Sequence, residues 1–205
     1  MATLSFGKLG FARQEGKVVK RIFPEAKLFV DRVVLETALK QVRSPYLLHL
    51  ATHGFFLKND EQNRENPLLR SGLALYGANE RRSGKDDGIL TAYEVAIMDL
   101  LGTKLVVLSA CETGNGEIKN GEGVFGLRRA LVLAGAETQV TSLWRADDLV
   151  TRKLMQQFYT HLNAGLGRAE ALRQAQLKLL RGGATPSPYY WANFICIGEW
   201  KPLGQ

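Results

Sequence analysis

Two stretches of this 205-residue chain place a reactive side chain directly after an apolar run. Residues 46–51 (YLLHLA) lead into Thr52-His53-Gly54, and residues 104–110 (KLVVLSA) lead into Cys111-Glu112-Thr113-Gly114. Each run is long enough for a buried strand and too short for a helix. In open parallel sheets, sites form just beyond the carboxyl ends of strands. If these two strands are parallel neighbours, His53 and Cys111 emerge on the same edge. A cysteine attacks a carbonyl as its thiolate, which an adjacent imidazolium stabilises, and the histidine can carry the leaving-group proton. Gly54, having no side chain, can turn its N–H toward a bound carbonyl, and the N–H of Cys111 supplies a second oxyanion donor. Taken singly, each residue has an ordinary reading: a histidine at a strand end is often structural, and a cysteine after an apolar strand is often an inert small hydrophobe. The case rests on the two occurring at matching strand ends.

The elements that must position them follow from punctuation and periodicity. Residues 12–23 carry Val18, Val19, Ile22 and Phe23 at helical spacing, and Pro24 stops the helix. A strand is expected over 27–30, a helix capped by Asp31 over 31–42, and a short strand over 71–76 after a polar loop at 58–66. Residues 77–88 (GANERRSGKDDG) form a turn-rich charged loop, the best candidate for a mobile or cleavable segment. Thr91 caps a helix to residue 101. The strand at 104–110 is followed by a helix at 122–134 and a strand at 137–143. Two amphipathic helices (148–162 and 168–180) precede a last strand at 193–198. Strands alternating with helices, several apolar on both faces, predict a three-layer α/β/α sandwich with a largely parallel sheet. The length suits one domain over 1–205, with a core at about 12–200.

Composition narrows the function. Lys plus Arg total 27 against 20 for Asp plus Glu, a net +7. Residues 1–43 hold nine bases and four acids, 44–110 seven and eight, and 111–205 eleven and eight. Most of the excess sits in the N-terminal fifth, with no block of five like charges anywhere, so a mildly basic surface is the plainer reading and nucleic acid is not an expected partner. Residues 1–10 lack the apolar core of a signal peptide, and the apolar stretch at 105–108 is far short of a membrane span. Two cysteines, Cys111 and Cys196, 85 positions apart, suggest reduced thiols and a cytoplasmic location.

Four other patterns invite a reading. Gly121-Glu122-Gly123-Val124-Phe125-Gly126 is a G-x-G-x-x-G, and Asp147 follows the next strand, so a nucleotide-binding α/β domain is an alternative. Against it, ten residues separate the run from the preceding strand end, and Glu122 would sit among the phosphates. The glycines are better read as a loop and a close helix contact. His49 and His53 have metal spacing only on a helix, and no third ligand completes a set, so no metal and no cofactor are expected. Cys196 alternates with Phe194 and Ile195 in a strand and reads as inert. The aromatic run Pro188-Tyr189-Tyr190-Trp191 reads as packing, with a pocket wall as the sharper alternative.

The stretches LLHLATHGFF (47–56) and LVVLSACETGNG (105–116) resemble the CHAT domain, a caspase-like peptidase family related to the separases. The resemblance continues through GEGVFGLRRALVLAGA (121–136), VTSLWRADD (140–148), FYTHL (158–162) and PYYWANFICIG (188–198), in order, across about 12–200. It implies a cysteine endopeptidase with His53 and Cys111 as dyad and the N–H groups of Gly54 and Cys111 as oxyanion donors. The 58-residue spacing is similar to the roughly 50 residues between His and Cys in caspases. The segment Ser142–Leu143–Trp144–Arg145…Asp147–Asp148 stands where the family reads the residue before the cut. There Asp148 resembles the separase acid that selects Arg, whereas Trp144-Arg145 is similar to the caspase pair whose Arg selects Asp. Asp148 is the preferred selector, giving cleavage after Arg or Lys and making Arg81, Arg82 and Lys85 a candidate self-cleavage site. The resemblance also implies protein or peptide substrates in regulated proteolysis, and a regulatory partner or sensor repeats that this chain lacks. The rival reading is a catalytically silent interaction or sensor module of the same family.

Overall fold

A computed structural model describes residues 5–7, 9–57, 66–82, 85–112, 122–144, 147–182 and 187–204, without the side chains of 111, 112 and 122–125. The chain opens with helix α1 (Ala12–Ile22), a 3-10 turn at Asp31–Val33 and helix α2 (Glu36–Lys40). Strand β1 (Leu47–Phe56), helix α3 (Pro67–Arg70), strands β2 (Ser71–Ala74) and β3 (Ile89–Thr91) and helix α4 (Ala92–Ala96) follow. Next come β4 (Leu105–Glu112), α5 (Glu122–Leu133), β5 (Thr138–Ser142) and α6 (Asp148–Asn163). Helices α7 (Arg168–Arg181) and α8 (Pro188–Trp191) and strand β6 (Phe194–Gly198) end the series.

The six strands form one sheet in the order β3-β2-β1-β4-β5-β6. Its centre, β1-β4-β5, is parallel, while β2 and β6 run against their neighbours. Four strands therefore point one way, and the α/β class expected from the alternation holds. Strand β4 is apolar on both faces because helices cover both: Leu105, Val106 and Val107 are all fully buried. Val106, Leu108 and Ala110 join Leu127, Ala130 and Leu131 of α5 and Val95 of α4. Leu105 and Val107 join Val19 of α1, Leu154, Met155 and Phe158 of α6, and Ala171 and Leu172 of α7. Full burial of a side chain such as Leu154 or Phe158 contributes roughly 1.5–3 kcal/mol, which is what holds the layers together.

Four local expectations change. Residues 27–30 are extended but belong to no strand, and Leu28 and Phe29 are exposed, because β3 and β6 already form the sheet edges. The helix expected at 31–42 is broken: Asp31 sits at φ 54° and Val34 at ψ 63°, leaving only α2 helical. Helix α4 starts at Thr91 as expected, with a capping box to Glu94, yet stops at Ala96. Beyond it Asp99 bridges to Arg43 and the Leu100 N–H donates to Ala134, so those backbone groups are no longer available to a helix. Strand β3, three residues long, was hidden in the charged loop's shadow. That loop is tied down at both ends: Leu75 N–H donates to Gly88 O, and Gly88 N–H donates to the Glu36 carboxylate. In α5, a Cβ on Gly126 would lie 2.2 Å from the Ser71 hydroxyl, so this glycine serves close helix packing. Gly123 and Gly126 both lie inside α5, and Gly121 lies outside the described residues.

Candidate active site

Strands β1 and β4 lie side by side and parallel, and their register pairs His53 with Cys111 and Gly54 with Glu112. The two residues singled out by type therefore occupy adjacent positions at the carboxyl end of the sheet. The backbone does this by continuing β1 past Ala51 through His53, where β2 pairs with it from the other side. The Thr52 hydroxyl donates to the Ala74 carbonyl, tying that corner. Gly54 is buried within the strand, opposite Leu73 on β2.

His53 is half-buried. Its Nε2 lies 2.6 Å from the carbonyl oxygen of Gly7. A carbonyl only accepts, so Nε2 carries the proton in this contact. Nδ1 is buried and has no hydrogen-bond partner among the described residues, which do not include the Cys111 side chain. The Phe6 ring stands 5.7 Å from the imidazole and 6.2 Å from Phe55, centroid to centroid. Asn79 holds Phe6 by its main chain: Phe6 N–H donates to Asn79 Oδ1 and Asn79 Nδ2–H donates to Phe6 O, both at 2.9 Å. Neither Gly7 nor Asn79 was singled out in the sequence. Nothing in their types could have marked them, since a backbone carbonyl has no residue signature.

A cleft of about 30 Å³ opens beside this edge, between α1 and the start of α6. Leu9, Phe11, Glu15, Ser109, Asp148 and Thr151 are among the residues that line it. Glu15 is only 4% exposed, and its Oε2 accepts from the Ser109 hydroxyl at 3.3 Å. Its Oε1 lies 3.0 Å from His49 Nε2 without the alignment of a hydrogen bond. On its other side His49 Nδ1 is 2.7 Å from the Tyr159 hydroxyl. Burial, with the Glu15 charge behind it, pushes the Tyr159 phenol well above its ordinary range. The phenol therefore keeps its proton, and its hydroxyl shares a hydrogen bond with Nδ1 of His49. His49, one of the two histidines of the apparent metal pair, is thus engaged in a buried polar chain.

The expected substrate segment separates into parts with different work. Asp148 lines the cleft. Asp147 is exposed and caps α6, its carboxylate accepting from Val150 N–H. Ser142 is buried and donates to the Ala110 carbonyl at 2.7 Å, bracing β5 against β4. Trp144 Nε1–H donates to the Tyr189 carbonyl at 3.0 Å, so the aromatic run at 188–191 anchors this loop. Arg145 lies outside the described residues. Cys196, on β6, is half-buried, and burial pushes its thiol up to about 11, as suits an inert cysteine. No helix among the described residues is long and apolar enough to cross a membrane.

The family model described as the CHAT domain matches residues 1–199. Tetratricopeptide repeat protein 28 of Homo sapiens is 35% identical over 112 residues, which is 54% of this chain and 4% of that protein. The Mus musculus protein of the same name is 33% identical over 112 residues, with the same shares. The chain thus spans about 4% of the length of these curated relatives.

Proposed function

The chain belongs to the CHAT domain family, and on that premise we propose that it is a cysteine endopeptidase with His53 and Cys111 as its dyad. The observation that carries this reading is the β1–β4 register, which sets the two residues side by side at the sheet's carboxyl edge. The Cys111 thiolate adds to the scissile carbonyl. The C–N bond then breaks as His53 protonates the departing amine, leaving a thioester. Water, deprotonated by His53, hydrolyses the thioester and restores the thiol. On the family resemblance, the N–H groups of Gly54 and Cys111 take the oxyanion in both steps.

Preference for Arg or Lys before the cut is supported by two carboxylates at the cleft, Asp148 and Glu15. A cationic side chain there would be paired, whereas an acidic one would be repelled and left desolvated. Of the adjacent pair Asp147 and Asp148, Asp148 is the better selector, because Asp147 is committed to its helix cap; the more buried Glu15 lines the same cleft. Self-cleavage in the 77–88 loop would need its anchors at Glu36 and Leu75 to open first. A cytoplasmic location and a role in regulated proteolysis complete the reading.

The rival, a non-catalytic interaction module, is favoured by one observation: both curated relatives are named for tetratricopeptide repeats. Matched peptides ending in Arg, Asp and Leu, offered to the chain and to Cys111→Ala, decide between them. Hydrolysis abolished by the substitution, with Arg ranked first, is the expected result. Activity that survives Cys111→Ala removes the dyad; no activity in either protein, with Cys111 unlabelled by a thiol-reactive peptide, favours the module.

A further inference from the structure

Phe6 and Gly7 touch the one dyad member whose side chain is described. Gly7 is a poor residue to hold anything by itself, having no side chain and an unrestricted backbone. Its carbonyl nevertheless meets His53 Nε2 at 2.6 Å, so something else must fix it. The fixing group is Asn79. Its amide pairs with both the N–H and the C=O of Phe6, as a neighbouring strand would, one residue before the carbonyl in question. Phe6 adds a second anchor, its ring set against His53 and the buried Phe55. Asn79 itself sits in the 77–88 loop, which Gly88 ties to Glu36 and whose Ala78 N–H donates to Leu75 O. A chain of contacts therefore runs from α2 through Gly88, the loop's Asn79 and Phe6 to the imidazole.

We infer that residues 5–7 are a positioning strap for the dyad, with Asn79 the positioning residue that keeps the Gly7 carbonyl on His53. The chemistry follows from the inventory of the ring. With Nε2–H donated to a fixed carbonyl, a neutral His53 is confined to the tautomer whose Nδ1 is unprotonated. Nδ1 is the buried nitrogen without a partner among the described residues, so its lone pair is the one left to take the thiol proton of Cys111. When Nδ1 is protonated, the same carbonyl stabilises the resulting imidazolium. The strap also continues to Leu9 and Phe11, which line the cleft, so one segment shapes both the base and the specificity cleft. This role rests on the peptidase reading, but the tautomer is observable without any substrate.

The test is nitrogen-15 NMR of the histidines in the full chain, with the His53 signals assigned by their loss in His53→Gln. In the parent protein His53 should show a bare Nδ1 and a protonated Nε2. Asn79→Ala should mix the tautomers and lower kcat by 10- to 100-fold with KM changed less than about threefold, the pattern of a misplaced base. Phe6→Ala, which keeps the main-chain clamp, should retain the tautomer and most of kcat. If Asn79→Ala does not fold by circular dichroism, Asn79→Asp serves: its carboxylate still accepts from Phe6 N–H but no longer donates to Phe6 O, and the tautomer should shift in the same direction. The inference is overturned if His53 is protonated at Nδ1 in the parent. It is equally overturned if Asn79→Ala leaves the tautomer unchanged, or if kcat rises, which would make the strap a plug. A tautomer that shifts as expected in a protein that cleaves nothing would sink the peptidase reading and leave the strap standing.

Discussion

The two faces of the sheet are built to different rules. Under α2, α4 and α5 the core is an apolar cluster running from Leu39 to Ala134. Charged groups on that side are gathered around Lys40, whose Nζ meets the buried Glu36 at 2.5 Å, Glu94 at 2.8 Å and Asp86 at 3.2 Å. Under α1, α6 and α7 the apolar cluster is interrupted along the middle of β1 and β4. Glu15, His49, Ser109 and Tyr159 meet there in one buried polar chain. Both faces bury a carboxylate, but Glu36 has the Lys40 ammonium against it, whereas Glu15 meets a histidine and a serine beside the cleft. The first face explains why the sheet is rigid, and the second where a ligand would be read.

That division can be broken at its structural side first. Leu100 is fully buried in the first cluster. Leu100→Ala should cost about 3 kcal/mol of unfolding free energy by denaturant titration, from lost burial and a residual cavity. The kcat of the folded fraction should be unchanged. A comparable fall in kcat at full occupancy of the native state would mean the faces are not separable. A smaller loss, about 2 kcal/mol, is expected for Lys40→Ala, because it strands the Glu36 carboxylate, which is 2% exposed. Burial pushes the Glu36 acid up despite Lys40 beside it, so part of that cost is relieved by proton uptake. Removing Lys40 raises the acid further above its unfolded value. A group raised in the folded state favours folding at low pH, so the deficit of Lys40→Ala should shrink as pH falls toward 4 and be largest near neutrality. A deficit that grows on acidification would contradict this sign.

Legibility in the sequence tracks the same division. The apolar alternation of β4, the stripes of α5, α6 and α7, and the Thr91 cap are local patterns, and each element appears close to where periodicity places it. So do His53 and Cys111, because residue type and strand-end position are both written locally. The short α4 is set by partners distant in sequence: Ala134, through its carbonyl, and Arg43 compete for backbone that propensity alone would make helical, while at the Asp31 break the Val34 carbonyl accepts from Tyr76 N–H. The missed site residues have the same cause. Glu15 reads as one charge on an amphipathic helix until α1 is laid across β1 and β4. Asn79 reads as a loop residue until Phe6, 73 positions earlier, is brought beside it.

The smallest effect is the sharpest test of the second face. Glu15→Gln keeps the shape and the acceptor for the Ser109 hydroxyl while removing the charge that faces the cleft. The Ser109 hydrogen bond is kept, so stability should change by about 1 kcal/mol. Selectivity should not be so forgiving. If a cationic side chain enters the cleft, losing one of its two carboxylates should lower the ratio of kcat/KM for Arg over Leu peptides by about tenfold, or about 1.4 kcal/mol. Asp148→Asn should cost less, since Asp148 is partly solvated and water screens its field. The order matters more than the size: a larger loss from Asp148 than from Glu15 would place the cation at the rim of the cleft. No loss from either would mean that Glu15 is buried for the sake of His49 and Tyr159 alone, and the contrast between the two faces would then be one of packing only.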